Sequence, residues 1–311
     1  MKNNILIIDG PNVAMKYISL KGKINVELSF LKHISFLYNK FKPSEIFVCW
    51  EGTNSRKPRQ NILKEYKANR QKLSNQRRSM KKSRHLDLDK VKRQITLFKI
   101  KLFENLPAHQ LSVNNLEADD VIAELTRIYK NDNIIIVSAD ADFKQLLSDN
   151  VMIYNHLKKK TQYLTDIKKE LGNPFNIIWQ KAIVGDKSDN IDGIKGVGLK
   201  TFEKMFADYL FFQKRWKPDL IKKVLSRNNK SKHFNDVMKY FKVIQLFTPL
   251  HAIASSQVRD YCRANKKYIF NEDVILKYFE TFSERKPTGK EIKSVLIPFS
   301  EFIMRNIFKK G

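Results

Sequence analysis

Residues 116–123 read Leu-Glu-Ala-Asp-Asp-Val-Ile-Ala and place three carboxylates within four residues, at the start of an apolar-periodic segment. Acidic residues are favoured in the first turn of a helix, where they meet its partly positive end, and this explains part of the cluster. Other acids of the chain follow apolar runs or lie in Gly- and Asp-rich turns: Asp9, Glu51, Asp140, Asp142, Asp186 and Asp189. The sequence therefore raises the question whether these six meet Glu117, Asp119 and Asp120 at one site.

The composition indicates a polyanionic partner. The 311 residues include 59 Lys and Arg against 32 Asp and Glu, which gives a formal net charge of +27. Such an excess attracts nucleic acid or an anionic membrane surface. No apolar run approaches the length of a membrane span, and only four apolar residues precede Asp9, so we predict neither a membrane segment nor a signal peptide. We therefore expect a protein that binds nucleic acid in a cytoplasmic setting.

The periodicity of the apolar residues predicts an α/β fold. Short apolar runs at residues 4–8, 45–50 and 133–138 are typical of strands buried on both faces of a parallel sheet. Helical spacing predicts helices at 27–41, 86–106 and 174–184, and another that follows the acidic stretch and runs through Val121, Ile122, Leu125 and Ile128. Open α/β sheets bind ligands at the carboxyl ends of their strands, where Asp9, Glu51 and Asp140 lie. For Asp9 alone, an aspartate that merely begins a turn is an equally good interpretation.

Two further segments indicate phosphate binding. Residues 56–84 contain twelve Lys and Arg and one acid, Glu65, so this segment is either a solvated loop or, as we prefer, one that contacts nucleic acid. The Gly-rich turn 193–198 precedes a helix, and a helix start with free backbone N–H groups binds phosphate. A plain helix–helix turn also favours glycine, but the flanking Lys195 and Lys200 favour phosphate binding.

Metal ligands other than carboxylates are not predicted. Cys49 and Cys262 form no CxxC pair, and the six histidines show no HxxxH or HExxH spacing, so the sequence gives no zinc motif. Carboxylate oxygens suit Mg²⁺ or Mn²⁺. Two such ions about 4 Å apart can activate water and stabilise the leaving oxygen in phosphodiester hydrolysis.

The motifs, taken in chain order, resemble those of the structure-specific 5′ nuclease family. They are Ile-Ile-Asp-Gly at 7–10, Trp-Glu-Gly at 50–52, Arg59 with Tyr-Lys-Ala-Asn-Arg at 66–70, Glu-Ala-Asp-Asp at 117–120, Ser-Ala-Asp-Ala-Asp-Phe at 138–143, Gly-Asp-Lys-Ser-Asp-Asn at 185–190 and Gly-Ile-Lys-Gly-Val-Gly at 193–198. This family includes flap endonucleases, the 5′-to-3′ exonuclease domain of bacterial DNA polymerase I and phage ribonuclease H. The layout looks most like the stand-alone phage ribonuclease H branch. This resemblance implies a monomer in the cytoplasm of a bacterium or of a phage-infected host cell.

The resemblance implies a two-metal site for Mg²⁺, with Mn²⁺ as a substitute. One ion would be surrounded by Asp9, Glu51, Glu117, Asp119, Asp120 and Asp140, and the second would lie beside Asp142, Asp186 and Asp189. The position of Glu51 is usually Asp in this family. Of the adjacent pair Asp119 and Asp120 we favour Asp120 as the direct ligand, because it shares the i,i+3 face of the helix with Glu117.

The resemblance also implies a domain layout and nucleic-acid contacts. Residues 1–184 would form the nuclease core with a basic helical arch or clamp at 54–93, where Lys67 and Arg70 act near the scissile phosphate. Residues 185–311 would form a helical region with a DNA-binding helix-turn-helix at 185–206, often with bound K⁺. Nucleic acid would be contacted by Arg59, Tyr66, Lys195, Gly196, Gly198 and Lys200. The implied partners are branched or nicked duplex DNA and RNA–DNA primers, with a single-stranded DNA-binding protein or a sliding clamp.

These observations predict a metal-dependent 5′-to-3′ exonuclease and flap endonuclease, with ribonuclease H activity, that acts in DNA replication or repair. A PIN-type ribonuclease shares the acid-rich α/β core, although the Gly-rich turn and the long basic segment argue against it. A non-catalytic protein that binds branched DNA through its basic surface is the third possibility. It does not explain why all nine acidic positions are filled.

Overall fold

The computed structural model describes residues 2–18, 26–69, 103–210, 214–246, 252–264, 268–282 and 286–308. Most of the predicted arch, including Arg70, and most of the predicted helix 86–106 lie outside these residues. Within the described residues, no helix is both long enough and apolar enough to cross a membrane.

A six-stranded sheet forms the centre of the fold, with the spatial order β3-β2-β1-β4-β5-β6. The strands are β1 (Asn4–Asp9), β2 (Glu45–Trp50), β3 (His109–Ser112), β4 (Asn133–Val137), β5 (Val151–Asn155) and β6 (Lys160–Gln162). Strands β1 to β5 run parallel to one another, and β6 is antiparallel to β5. The predicted α/β fold with a mostly parallel sheet is therefore confirmed.

The central strand β1 marks the point where the strand order reverses. Its Ile8 is paired with Val48 of β2 on one side and with Val137 of β4 on the other. In open parallel sheets a crevice forms at such a reversal, beyond the carboxyl ends of the strands. Asp9 at the end of β1 and the loop after β4 therefore face one another across this crevice.

Helices cover both faces of the sheet. They are α1 (Gly10–Ile18), α2 (Val26–Phe41), α3 (Lys57–Gln60), α4 (Ala118–Ile128), α5 (Leu164–Leu171), α6 (Asn176–Val184), α7 (Leu199–Leu210), α8 (Pro218–Arg227), α9 (Phe234–Ile244), α10 (Ala252–Arg263), α11 (Glu272–Phe282) and α12 (Gly289–Phe308). One apolar layer joins the sheet to α1, α2, α11 and α12, and the other joins it to α4–α10. Because both faces are buried, the strands are apolar at nearly every position.

The second apolar layer continues across the predicted boundary between residues 184 and 185. Trp179 of α6 stacks on Phe241 of α9 at a ring-centroid distance of 3.9 Å. Phe206 of α7 stacks on Trp216 at 4.7 Å, and all four side chains adjoin the layer that covers the sheet. The helical region thus shares its hydrophobic core with the sheet.

The turn between α6 and α7 depends on two glycines. Gly185 and Gly193 have φ angles of +98° and +68°, in a region of backbone conformation that residues other than glycine rarely adopt. A Cβ on Gly193 would lie 2.4 Å from the backbone nitrogen of Gly185, so the two chain segments can meet only without a side chain there. Between them, Asp186 and Ile191 exchange backbone hydrogen bonds of 2.7 and 2.9 Å. This closed turn fixes the positions of Asp186 and Asp189.

Candidate active site

Asp9 is held at the carboxyl edge of the sheet by two hydrogen bonds. Its carboxylate accepts from the Ser138 hydroxyl at 2.7 Å and from the Asn12 backbone N–H at 3.2 Å. The pKa of Asp9 is raised to about 7, chiefly by burial. The two hydrogen bonds oppose this rise, and the negative charges of Asp140 and Glu51 add to it. A buried carboxyl group with a raised pKa gains from a nearby cation, which would stabilise its charged form.

Asn12 and His156 brace the loop that carries Asp140. The Asn12 side-chain oxygen accepts from the Ala139 backbone N–H at 3.0 Å and lies 2.8 Å from Nε2 of His156. Burial lowers the pKa of His156 to about 4, so the ring is neutral at pH 7 and its proton lies on Nε2, facing the Asn12 oxygen. Neither residue was predicted from the sequence, because neither occurs in a spacing typical of metal ligands.

At the start of α4, Glu117 and Asp120 are engaged by Arg59. The guanidinium donates from Nη1 and Nη2 to the two oxygens of Asp120, both at 2.7 Å, and from Nη1 to Glu117 at 2.9 Å. Asp120 also accepts the backbone N–H of Glu117 at 3.1 Å, as residue N3 of a capping box does. Both oxygens of Asp120 therefore accept from Arg59, which argues against our preference for Asp120 over Asp119 as the direct metal ligand. The choice between the two residues stays a prediction.

Asp119 lies within the electrostatic influence of Lys67, Glu117 and Glu51. Burial raises the pKa of its carboxyl group well above the usual range, and the charges of Glu117 and Glu51 act in the same direction, while Lys67 opposes them. The pKa of Glu51 is raised as well, by desolvation and then by the charge of Glu117. Because adjacent residues of a helix face different directions, only one of Asp119 and Asp120 can lie in this group.

Lys67 joins the two halves of the acid set. Its Nζ lies 2.7 Å from Oε1 of Glu117 and 3.7 Å from Oδ1 of Asp189, and its side chain is only 6% exposed. Burial disfavours the ammonium, but Asp119, Glu117 and Asp189 outweigh it and raise the pKa of Lys67 to about 12. For Glu117 the same contacts act in reverse: burial opposes its ionisation, and Lys67 and Arg59 more than compensate and lower the pKa.

The second group of acids contains Asp142, Asp186 and Asp189, whose carboxylate oxygens lie within 4.8 Å of one another. Lys181, in the last turn of α6, places its Nζ 2.8 Å from Asp186 and also in contact with Asp142. Burial raises the pKa of Asp142 to about 6, and Asp140 and Asp189 add to the rise against the effect of Lys181. Lys181 was missed because a lysine at the end of a helix is common for another reason, its interaction with the helix dipole.

The raised pKa values of four carboxyl groups bear on whether cations fit this site. Asp9, Glu51, Asp119 and Asp142 all show such a rise, and each has other carboxylates beside it. Their oxygens are hard ligands of the kind that Mg²⁺ and Mn²⁺ prefer. The donor set therefore fits divalent cations. The oxygens of Asp142, Asp186 and Asp189 converge within 4.8 Å, and the grouping of Asp9, Glu51, Asp119 and Asp140 around the other ion stays a prediction. Glu117 and Asp120 are paired with Arg59, and Lys67 also contacts Glu117.

The residues predicted to contact nucleic acid fall into two classes. Arg59 and Tyr66 are each 2% exposed, and the Tyr66 hydroxyl donates to Glu117 at 2.8 Å. Both are buried beneath the site, so we correct their role from contact with nucleic acid to positioning of the acids. Lys195, Gly196, Gly198 and Lys200 are exposed around the start of α7, and their contact with nucleic acid stays a prediction.

A crevice of carboxylates at the carboxyl edge of a mostly parallel sheet, beside the buried Lys67 and the partly buried Lys181, places this chain in the class of α/β proteins whose site suits divalent cations. Comparison with known proteins narrows that class. Residues 4–172 match a family model described as the 5′-3′ exonuclease N-terminal, resolvase-like domain. The chain belongs to the 5′-3′ exonuclease family.

Two relatives carry the name 5′-3′ exonuclease. The protein of Bacillus subtilis is 31% identical over 196 residues, which span 58% of this chain and 57% of the relative. The protein of Aquifex aeolicus is 30% identical over 233 residues, which span 73% of each chain. The chain thus spans little more than half the length of the first relative.

Solved structures share the fold. T5 5′-exonuclease, in a structure with bound zinc ions, superposes with a TM-score of 0.66 at 20% identity, over 94% of this chain and 98% of that one. The catalytic core of Rad2 in complex with a DNA substrate superposes with a TM-score of 0.52 at 14% identity, over 96% and 92% of the two chains. The likeness to T5 5′-exonuclease covers the helical region as well as the sheet.

Proposed function

We propose that the chain is a divalent-metal-dependent, structure-specific 5′ nuclease that hydrolyses phosphodiester bonds at 5′ ends, flaps and RNA primers. The observation that carries the proposal is the convergence of the Asp142, Asp186 and Asp189 oxygens within 4.8 Å of one another, beside the buried Lys67 that contacts Glu117 and Asp189. The names of the relatives and the DNA bound to Rad2 support the substrate class.

Divalent ions bound to these carboxylates would supply the activation of water and the stabilisation of the leaving oxygen. The protein's own contribution is to hold the ligands in place. Ser138 and Asn12 fix Asp9, Arg59 fixes the start of α4, and the turn 185–193 fixes Asp186 and Asp189. Lys67 provides the positive charge closest to Glu117 and Asp189, where it would stabilise negative charge on the phosphoryl oxygens.

Substrate would be held by the basic surface around the first turn of α7. Lys195 and Lys200 are exposed there, and the backbone N–H groups of a helix start are suited to phosphate. This is the proposed helix-turn-helix at 185–206, and K⁺ at this turn stays a prediction. A single-stranded DNA-binding protein or a sliding clamp as partner stays a prediction as well.

Digestion of 5′-labelled flap, nicked and RNA-primed duplexes, run side by side with and without Mg²⁺, tests the proposal. We expect Mg²⁺-dependent cleavage, and its product lengths separate exonuclease from flap endonuclease activity. Asp140→Asn serves as the control, because it should abolish cleavage and retain most DNA binding. Preferential cleavage of unpaired RNA would favour the PIN-type alternative, and binding of branched DNA without cleavage under any metal condition would favour the non-catalytic one.

A further inference from the structure

Lys181 shares the ligands of the second predicted cation. Its Nζ contacts both Asp142 and Asp186, at 2.8 Å from the latter, although these two carboxylates belong to the group of three whose oxygens lie within 4.8 Å. A lysine ammonium is charged at neutral pH. Lys181 therefore supplies a positive charge at the place where the three carboxylates converge.

An ammonium and a divalent ion cannot be neighbours on these oxygens without strong repulsion. At separations of about 4 Å this repulsion exceeds thermal energy even when water screens it. The Lys181 side chain is 16% exposed and has a flexible four-carbon stem, so it can turn towards solvent while α6 stays in place. Binding of an ion at this group would thus displace the Lys181 ammonium.

We propose that Lys181 is a tethered counter-ion, a positioning residue that holds Asp142 and Asp186 together in the metal-free protein and gives way to the second divalent ion. This inference rests on the proposed function, because it concerns the same metal site. It predicts a competition. Lys181 lowers the affinity of the second site for its ion and, in exchange, protects three neighbouring carboxylates from mutual repulsion when the ion is absent.

Titration with Mn²⁺, followed by electron paramagnetic resonance in the absence of nucleic acid, measures this competition. Lys181→Met keeps the length of the side chain and removes its charge, whereas Lys181→Arg keeps the charge. A matched control is Lys144→Met, because Lys144 forms an ion pair of 2.8 Å with Glu170 in which neither partner belongs to the predicted metal ligands. We expect Lys181→Met to bind the second Mn²⁺ at least about tenfold more tightly than the unchanged protein does. Lys181→Arg and Lys144→Met should stay within about threefold of it, a change worth under 1 kcal/mol.

Thermal unfolding gives a second measurement that does not depend on activity. In EDTA at pH 8, Lys181→Met should unfold at a lower temperature than the unchanged protein. Saturating Mn²⁺ should raise the unfolding temperature of Lys181→Met by more than it raises that of the unchanged protein. Equal or weaker binding of the second Mn²⁺ by Lys181→Met, with two ions still bound by the unchanged protein, overturns the counter-ion role and leaves the proposed function intact. Failure of the unchanged protein to bind Mn²⁺ overturns the metal dependence and this inference together.

Discussion

The backbone N–H of Lys67 donates to the carbonyl oxygen of Asp189 at 3.0 Å, and Lys67 adopts a φ of +56° to do so. Asn190 extends the same junction, since its side-chain amide donates to the carbonyl of Glu65 at 2.9 Å. The base of the basic segment is thereby fastened to the turn that carries Asp186 and Asp189. A residue other than glycine with this φ is uncommon, and the conformation is retained here because two segments distant in sequence hold it.

Substitution of Lys67 tests its place between the two groups of acids. We expect Lys67→Ala to lower kcat by about 100-fold to 1000-fold, because a charge aimed at the phosphoryl oxygens is lost, while affinity for flap DNA falls by less than about tenfold. Lys64→Ala removes an exposed lysine of the same segment and should leave kcat unchanged. A loss confined to affinity would reassign Lys67 to anchoring of phosphate.

The neighbouring acids Asp119 and Asp120 should respond differently to the same substitution. Asp119→Asn is expected to lower cleavage by about 100-fold or more and to leave the free energy of unfolding almost unchanged. Asp120→Asn should instead destabilise the fold by about 3 kcal/mol, because it leaves the buried Arg59 without its full counter-charge. Urea unfolding and cleavage of a flap substrate, measured on both variants, separate the two roles. The reverse pattern would restore Asp120 as the metal ligand.

The stability of the metal-free protein should fall as the pH rises from about 4 to about 7. The pKa of Asp9 is raised to about 7 and that of Asp142 to about 6, against about 3.9 for aspartate in an unfolded chain. The native state therefore holds protons that the unfolded chain has already released, and this contribution is lost as the pH passes the native pKa values. In EDTA we expect a loss on the order of 3 kcal/mol between pH 5 and pH 8.

Asp9→Asn should flatten this pH profile, and saturating Mn²⁺ should remove most of the slope in the unchanged protein. Glu117 and Asp186 act in the opposite sense, because their pKa values are lowered. The stability that they contribute is present above the pKa of an ordinary carboxyl group and is lost as the pH falls below it. Urea unfolding at intervals of one pH unit provides the measurement. A stability that stays level from pH 5 to pH 8 in EDTA would contradict the predicted protonation of Asp9.

Salt dependence tests the exposed lysines near the first turn of α7. Lys200→Ala should weaken binding to duplex DNA equally for all sequences and reduce the slope of log K against log salt by about 1, because one phosphate contact is lost. Lys290→Ala, at the start of α12, removes an exposed lysine that lies next to the other apolar layer and should leave the slope unchanged. Equal slopes for the two variants would place the DNA elsewhere.

The sequence predicted the sheet well, because burial on both faces leaves a direct trace. The runs at 4–8, 45–50 and 133–138 became β1, β2 and β4 with differences of one residue at most. The acids that end these strands were found for the same reason, since the carboxyl edge follows from the direction of the strands. These features depend on local pattern and on one rule of topology.

The direction of each acid could not be predicted, because it depends on partners distant in the chain. Arg59 lies 61 residues from Asp120, and nothing near Asp120 in sequence indicates that a guanidinium will occupy both its oxygens. The i,i+3 relation of Glu117 and Asp120 gives them a shared contact with Arg59, and a metal shared by the two stays a prediction. Lys181 is a similar case, because its contact with Asp142 joins residues 39 apart.

Arg59 also donates from Nε to the carbonyl oxygen of Val243, near the end of α9, at 2.8 Å. A single buried guanidinium thus joins the start of α4 to a helix that lies far beyond the predicted boundary at residue 184. A fragment made of residues 1–184 alone would lack this acceptor and much of the apolar layer around α6. We therefore expect the smallest fragment of this chain that folds on its own to be longer than its family domain and to extend through α9.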